Sequence, residues 1–333
     1  MSRETGPGNT MQAVVQDAYG SAEVLHLARI ARPDIADDEV LVRVHAAGLD
    51  RGTWHQMSGR PYLMRVMGFG FGRPKNPVPG LDVAGTVVAV GSAVTRFAMG
   101  DEVLGLSKGS FAEYAAAKED KLAAKPEGLT WEQAAVLPVS ALTAYQSLHD
   151  AGRVAPGQKV LVIGASGGVG SYAVQLGKAH GAEVTGVCST SKLDLVRSLG
   201  ADHVIDYTRE DFAAGPERYD LILDIGGNSA LSKLRHTLTP TGTVVIVGGE
   251  EGGPWTGGFG RSLRAAALSP FVRQRLAMLV AKEHFSTLER VTDLIEAGTV
   301  TPSIDRTYPL DQVPEAMRHL IAGNVRGKVA ITI

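Results

Sequence analysis

The sequence contains a single cysteine, Cys188, among 333 residues. One thiol excludes an intramolecular disulfide, and it also excludes a zinc site built from several cysteines. This count bears directly on any enzyme family in which cysteines hold zinc.

An excess of charge and a long apolar run are also missing. The chain has 33 Lys and Arg against 35 Asp and Glu, so no broad positive surface for nucleic acid or an anionic membrane is expected. No apolar run reaches the roughly 20 residues that a bilayer-spanning helix needs. The first residues, MSRETGPGNTMQAV, contain no signal-peptide core. We predict a cytoplasmic protein that binds neither nucleic acid nor membranes.

The residues that are present suffice for two cores. Hydrophobic residues make up 44% of the chain, and at about 100–200 residues per domain its length suggests two domains. Between residues 11 and 101, short strands such as 40–46 and 83–90 alternate with glycine turns. This pattern predicts a compact, partly barrel-like β domain.

From Thr130 the pattern becomes a regular alternation of strands and helices. The run 159–163 is apolar on both faces, as in a buried parallel strand, and a helix over 171–180 follows. The alternation predicts a doubly wound parallel sheet with right-handed crossovers. Because the tail returns to mixed structure, we predict one domain from residues 1–138 and 283–333, with residues 139–282 inserted as a dinucleotide-binding domain.

A glycine-rich turn, residues 164–170 (GASGGVG), joins a predicted strand to a predicted helix. A pyrophosphate binds the free N–H groups of a helix N-terminus, and glycines allow the backbone to approach it closely. The turn therefore predicts dinucleotide contacts from Ala165, Ser166, Gly167, Gly168, Val169 and Gly170. Ala165 occupies the first position of the glycine fingerprint, so the motif is a variant.

The same turn also satisfies the G-x-S-x-G pattern of a serine hydrolase, with Ser166 as nucleophile. Asp224 and either His236 or His319 follow in the required order. The dense glycines favour phosphate contact, and no oxyanion-hole motif precedes the turn. The hydrolase stays as an alternative.

The residues about 20 positions beyond the turn indicate which dinucleotide binds. An acid there would hold the ribose 2′-hydroxyl of NAD and repel a 2′-phosphate. Ser189, Thr190 and Lys192 stand there, and no carboxylate lies between 188 and 192. We predict NADPH. Serine and threonine are also good helix N-caps, and that role is compatible with phosphate binding.

Further motifs accompany the turn, in the segments 79–85, 90–91, 100–103, 137–145 and 199–202. Together they resemble the medium-chain dehydrogenase/reductase superfamily, specifically its zinc-free quinone oxidoreductase branch. The resemblance implies a Rossmann domain inserted into a GroES-like catalytic domain. It also implies a homodimer formed through an edge strand, here residues 275–280, although the same run could instead be an edge covered by a loop.

The resemblance places Asp50, Leu81, Asp82 and Val139 where zinc-dependent members carry their zinc ligands and the adjoining glutamate. Leucine and valine offer no lone pair, so we predict no metal site. Without a Lewis acid, hydride transfer from NADPH to a small hydrophobic quinone or α,β-unsaturated carbonyl is favoured over alcohol oxidation. A dinucleotide-binding partner module with negligible turnover is the other alternative.

The resemblance also implies roles for individual residues. Asp50, near the nicotinamide ribose, and Tyr62, which could donate to a substrate oxygen, are the catalytic candidates. Cofactor contacts beyond the turn are expected from Thr143, Ser189, Thr190, Lys192, Tyr207, Gly248, Gly249 and Lys328. His55 could relay a proton to Asp50 or cap a loop. The glycine- and methionine-rich segment 63–72 could be a lid over substrate or ordinary packing.

Overall fold

The computed structural model describes residues 9–227, 229–248, 253–279 and 281–333. The chain divides into two compact units. The first contains the chain up to Val139 together with Glu283–Glu296 and Ile304–Ile333, and the second contains Ser140–Lys282 and Ala297–Ser303. The predicted boundaries assign all of 283–333 to the first domain and so miss the short segment Ala297–Ser303. It belongs to the second unit, where Gln175 forms two hydrogen bonds with the Thr301 backbone, 3.0 and 2.8 Å long.

The strands are β1 Thr10–Val15, β2 His26–Ala31, β3 Glu39–Leu49, β4 Asp82–Val90, β5 Glu102–Leu106, β6 Tyr114–Lys118, β7 Leu122–Ala124, β8 Lys159–Ile163, β9 Glu183–Cys188, β10 His203–Asp206, β11 Tyr219–Asp224, β12 Leu238–Ile246, β13 Arg275–Met278, β14 Ile304–Pro309 and β15 Lys328–Thr332. The helices are α1 Arg51–Ser58, α2 Tyr62–Met64, α3 Trp131–Ala135, α4 Pro138–Gln146, α5 Gly168–Ala179, α6 Leu193–Ser198, α7 Leu231–Thr237, α8 Phe259–Leu268, α9 Phe285–Glu296 and α10 Val313–Ile321. Wider π-type turns, Arg65–Phe69 and Ser147–Gly152, extend α2 and α4.

The first unit is built on a mostly antiparallel sheet in the order β14-β15-β3-β4-β5-β7, with β6 also paired to β3. In β3, Val40, Val42 and Val44 are buried while Arg43 is exposed, as alternation along a strand requires. These valines pack in a core with side chains of β4, β5, β6 and β7. The predicted β-rich unit is confirmed.

The second unit contains a parallel sheet in the order β10-β9-β8-β11-β12-β13. All five strand pairs are parallel. Counted from the first strand of this unit, the order is 3-2-1-4-5-6, which places the topological switch beside β8. The predicted doubly wound Rossmann sheet is confirmed, and its β8 runs directly into the glycine turn.

Local signals set the boundaries of the helices. Thr130 and Gln133 form a reciprocal cap on α3, which ends at Ala135. α4 begins at Pro138, because proline has no N–H to donate and is tolerated at a first helical position. No helix within the described ranges is both long and apolar enough to cross a bilayer.

Candidate functional site

The glycine turn is held close to the sheet by its own backbone. Gly164 has φ 89°, a left-handed conformation that glycine adopts without cost. The amides of Gly164 and Ala165 both donate to the carbonyl of Val187, at 3.1 and 3.0 Å. A Cβ at Gly170 would lie 2.1 Å from the Gly164 carbonyl oxygen, so only glycine fits there. The turn is therefore packed against β8 and β9 before any ligand binds.

The same turn presents an open cradle at the start of α5. The first amides of a helix have no acceptor within the helix, and its dipole favours an anion there. A Cβ at Gly167, the N-cap, would meet only the Gly164 carbonyl oxygen, at 3.6 Å, which is ordinary contact. The fold itself thus does not need glycine at 167, whereas a phosphate group approaching the amides does. The turn fits a pyrophosphate.

Ala165 and Ser166 differ from their expected roles. Ala165 is completely buried and its Cβ lies beside Gly186, so it shapes the turn rather than contacting a ligand through its side chain or its amide. Gly164 takes over the tight-turn role of the first fingerprint glycine. Ser166 is buried, and the partners that a hydrolase would need bind elsewhere. Asp224 pairs with Arg261 at 2.6 Å, and His319 with Asp305 at 2.6 Å. The nearest partner of His236 is the guanidinium of Arg218, 3.4 Å away.

The end of β9 meets a carboxylate that the sequence pattern missed. Cys188 and Asp206 are register partners on neighbouring parallel strands, so residues 189–192 come close to Asp206. Its carboxylate accepts hydrogen bonds from the Thr190 hydroxyl and from both the amide and the hydroxyl of Thr208, and these keep the pKa of Asp206 below its usual range. The carboxylate of Asp206 is thus occupied by hydrogen bonds from Thr190 and Thr208. The signal in the sequence is an acid ending the next strand, DYTR.

Positive and polar side chains surround this loop. Lys192 ends the short turn Thr190–Lys192 and precedes α6. Tyr207 is 62% exposed, and the exposed Arg209 lies 3.9 Å from Asp206. Tyr207 and Lys192 thus follow adjacent strand ends, an arrangement that suits a 2′-phosphate.

An ion pair between a half-buried arginine and a fully buried acid links the ends of β11 and β12. Arg261 of α8 pairs with Asp224 and donates to the carbonyls of Ser229, at 2.9 Å, and Gly248, at 3.2 Å. Burial raises the pKa of Asp224, and Arg261 opposes that shift. A Cβ at Gly248 would lie 2.0 Å from the Ile225 carbonyl oxygen, so glycine is required. Gly249 lies outside the described residues. Arg261 carries no sequence motif, and sequence reasoning missed it.

In the first unit, Asp50, Asp82 and Lys328 form a buried cluster. They are 8%, 0% and 2% exposed. The Lys328 ammonium lies 3.1 Å from Asp82 Oδ2 and 4.0 Å from Asp50 Oδ2. The other oxygen of Asp82 accepts from the Val139 amide at 2.8 Å. The expectation that Lys328 contacts the cofactor therefore needs correction, because two carboxylates hold its ammonium inside the first unit.

The two carboxylate oxygens of Asp50 differ in their hydrogen bonding. Its Oδ1 accepts from the Thr53 amide at 2.9 Å and so caps α1. Its Oδ2 is buried, and among the described residues it has no hydrogen-bond donor. Leaving such an oxygen unsatisfied is costly, so a ligand hydroxyl would be stabilised there. Burial raises the pKa of the neighbouring Asp82 to about 7; Lys328 opposes the shift and Asp50 adds to it.

The other predicted residues are placed as follows. Tyr62 is half-buried at the start of α2, with the Arg65 guanidinium 4.7 Å from its ring centre. His55 Nδ1 lies 2.6 Å from the Arg60 carbonyl oxygen, which favours loop bracing over a relay. Thr143 is half-buried on α4 in the second unit. In segment 63–72, Val66, Met67 and Phe71 are exposed.

Comparisons with known proteins agree with this architecture. Residues 36–127 match the family model "Alcohol dehydrogenase GroES-like domain", and residues 199–331 match "Zinc-binding dehydrogenase". The chain is 36% identical to the 2-methylene-furan-3-one reductase of Solanum lycopersicum, over 96% of this chain and 79% of that protein. It is 35% identical to the chloroplastic NADPH-dependent alkenal/one oxidoreductase of Arabidopsis thaliana, over 96% and 79%. The quinone oxidoreductase structure from Coxiella burnetii superimposes with a TM-score of 0.85 at 28% identity, over 97% and 99% of the two chains.

Proposed function

This chain belongs to the medium-chain dehydrogenase/reductase superfamily, in its quinone oxidoreductase-like branch, and on that premise we propose that it transfers hydride from NADPH to a quinone or an α,β-unsaturated carbonyl without a metal ion. The observation that carries the proposal is the buried cluster of Asp50, Asp82 and Lys328. By the family resemblance, Asp50 and Asp82 occupy positions of the zinc ligands and the adjoining glutamate of zinc-dependent members. Substrates of this kind are also named in the relatives: an enone reductase, an alkenal/one oxidoreductase and a quinone oxidoreductase.

The independence from zinc rests on the chemistry of the side chains. Leu81 and Val139 have no lone pair to offer a metal. The ammonium of Lys328 lies 3.1 Å from Asp82, so positive charge already balances this carboxylate. A divalent cation would be repelled by that ammonium, and among Asp50, Leu81, Asp82 and Val139 it would find only the two carboxylates as ligands. The cluster is thus better suited to hydrogen bonding than to metal binding.

NADPH is the cofactor, and when bound it supplies the hydride. The amides of Gly168, Val169 and Gly170 would hold the pyrophosphate at the start of α5. Lys192 and Tyr207 would bind the 2′-phosphate, with Ser189 and Thr190 supplying hydroxyls. Asp50 Oδ2 is an acceptor for a ribose hydroxyl. Thr143, Gly248 and Gly249 remain proposed contacts.

The substrate needs stabilisation for the negative charge that develops on its oxygen. Tyr62 carries a hydroxyl that can donate to such an oxygen, which is the role proposed for it. The Arg65 guanidinium lies 4.7 Å from the centre of the Tyr62 ring and donates to the Gly59 carbonyl, which helps to position the tyrosine. The reduction requires one proton in addition to the hydride, and the Tyr62 hydroxyl or water supplies it.

The proposal predicts turnover that resists chelation. NADPH mixed with the protein and a panel of quinones, enals and enones should lose its nicotinamide absorbance, equally with and without EDTA.

The variant Gly167→Ala tests the phosphate cradle at the start of α5. Its methyl group fits the fold but fills the phosphate cradle, so KM for NADPH should rise without loss of thermal stability. Tight NADPH binding without turnover would favour the partner module instead. Failure to bind NADPH would favour the hydrolase.

We also propose that segment 63–72 contacts hydrophobic substrates. Met67 and Phe71 are 66% and 83% exposed, which is unusual for such large apolar side chains. Replacing both with alanine should raise KM for bulky quinones roughly 5- to 10-fold, because apolar contact area is lost. KM for small enals should change little. Met99→Ala removes a similarly exposed methionine of the first unit and is the control. Unchanged kinetics with bulky quinones would contradict the substrate contact.

The homodimer, the cytoplasmic location and the absence of nucleic-acid and membrane partners stay predictions. Of the predicted dimer strand 275–280, Arg275–Met278 form β13, which is an edge strand among the described residues, and Val280 lies outside them. The outer edge of β13 would pair with a second copy. Each chain has a mass of 35.0 kDa, and sedimentation at that mass would contradict the dimer.

A further inference from the structure

A cavity of about 260 Å³ lies at the amino-terminal ends of the parallel strands in the second unit. The glycine turn follows the carboxyl end of β8, and β8 has five residues. At about 3.3 Å per residue the two ends are roughly 16 Å apart. The cavity is therefore distinct from the dinucleotide turn. It is lined by Gly152, Arg153, Gln158, Asp220, Thr239, Thr241, Gly242, Thr243 and Arg275.

Arg153 has a backbone conformation that arginine rarely adopts. It ends the turn Ser147–Gly152 with φ 56° and ψ 47°, and it is the sole non-glycine at positive φ within the described ranges. This conformation brings the Cβ of a residue too close to the following carbonyl oxygen, and glycine is usual at such helix ends. An arginine kept in this conformation suggests that its guanidinium is used.

Arg275 brings a second guanidinium to the same cavity. It begins β13, is half-buried, and donates through Nη1 to the Ala151 carbonyl at 2.6 Å. Burial, and then the charge of Arg153, lower the pKa of Arg275. The two cations thus repel each other. Asp220 is the one acid in the lining, and its oxygens accept from the Lys159 amide and the Thr239 hydroxyl.

Neutral donors complete the lining. β12 departs from its ladder with β11, because Leu238 pairs with Tyr219 whereas Thr243 pairs with Leu221. Residues 239–242 therefore bulge, and Thr239, Thr241 and Thr243 line the cavity. The Thr239 hydroxyl donates to Asp220, so Thr241 and Thr243 are the neutral donors considered for a ligand. Gly242 is required in this bulge, since a Cβ there would lie 2.9 Å from the Tyr219 carbonyl oxygen.

We propose that this cavity is a binding site for a small phosphate-bearing anion, separate from the dinucleotide. Two guanidinium groups and several hydroxyls are the donors that a tetrahedral phosphoryl group uses. At about 260 Å³ the cavity is just below the roughly 300–1,000 Å³ of sites for drug-sized ligands. It therefore suits inorganic phosphate or a small organic phosphate and is too small for a dinucleotide. The anion would also remove the repulsion between Arg153 and Arg275.

Inorganic phosphate is the probe for the test. The protein is first saturated with NADPH, so that the anion contacts of the dinucleotide site are taken. Thermal unfolding is then followed during a phosphate titration, against NaCl at equal ionic strength. At ten times the dissociation constant, phosphate should raise the Tm of the 333-residue chain by roughly 2 °C.

Arg153→Gly is the informative variant, because it removes the guanidinium and also relieves the backbone strain. Its phosphate-free Tm should equal or exceed that of the wild type, KM for NADPH should be unchanged, and the phosphate shift should disappear. Arg306→Gln removes one exposed arginine of the first unit and should keep the full shift. The proposal is overturned if Arg153→Gly responds to phosphate like the wild type, if NaCl reproduces the shift, or if succinate stabilises as strongly as phosphate.

Discussion

Replacing Lys328 with methionine should lower the free energy of unfolding by about 3–5 kcal/mol. The substitution keeps an unbranched side chain of similar size but removes the ammonium that lies 3.1 Å from Asp82 and 4.0 Å from Asp50. Asp50 and Asp82 would then lose their buried counter-ion, and Asp82, whose pKa burial already raises, would have to take up a proton. Urea denaturation of the wild type and the variant measures the effect, provided that the two proteins have the same m-value.

The double variant Asp82→Leu with Lys328→Met is the control for this prediction. Replacing a buried ion pair by apolar groups is often neutral, whereas removing one partner is not. The double variant should therefore regain most of the lost stability. If the single and double variants are equally destabilised, packing rather than charge explains the loss.

The pH dependence provides a check on the same cluster. Burial raises the pKa of Asp82 to about 7, so the folded state binds a proton that the unfolded chain releases near pH 4. Relative to Asp82→Asn, the stability of the wild type should therefore fall as pH rises from about 4 to about 7 and then level off. If the free energy of unfolding of the wild type rose with pH relative to that of Asp82→Asn, the raised pKa of Asp82 would be contradicted.

Lys192→Glu should raise KM for NADPH by about 100-fold or more and change KM for NADH little. A charge-assisted bond to the 2′-phosphate contributes about 1.5–3 kcal/mol, and the new carboxylate adds repulsion. The neighbouring Asp206 is already negative and bound to Thr190, so a second acid makes the loop unfavourable for a dianion. Steady-state kinetics with both cofactors and one quinone measure the change.

Lys192→Gln is the matched variant, since it removes the charge without adding the opposite one. We expect roughly a tenfold rise in KM for NADPH. NADH lacks the 2′-phosphate and should bind both variants almost as well as the wild type. An equal rise in KM for NADPH and NADH would show that Lys192 supports the loop and does not bind the 2′-phosphate.

Patterns along the chain were enough to predict both sheets and the cofactor turn. Strand alternation, glycines at strand ends and the capping residue Thr130 act over a few residues, so their consequences can be read locally. The single cysteine, together with Leu81 and Val139 at the positions that the resemblance assigns to zinc ligands, also predicts that no zinc is bound, because these side chains offer no lone pair to a metal. The absence of an acid between 188 and 192 likewise indicates NADPH.

Only the tertiary structure decided which distant side chains meet. Lys328 contacts Asp82 across 246 positions of sequence, and Asp206 reaches Thr190 because β9 and β10 are neighbours. Arg261 and the strained Arg153 carry no motif at all. Buried charges are stabilised by partners that folding brings together, and no local pattern specifies such a partner. The sequence by itself determined the architecture and the cofactor turn, whereas the burial and pairing of charges around them came from packing.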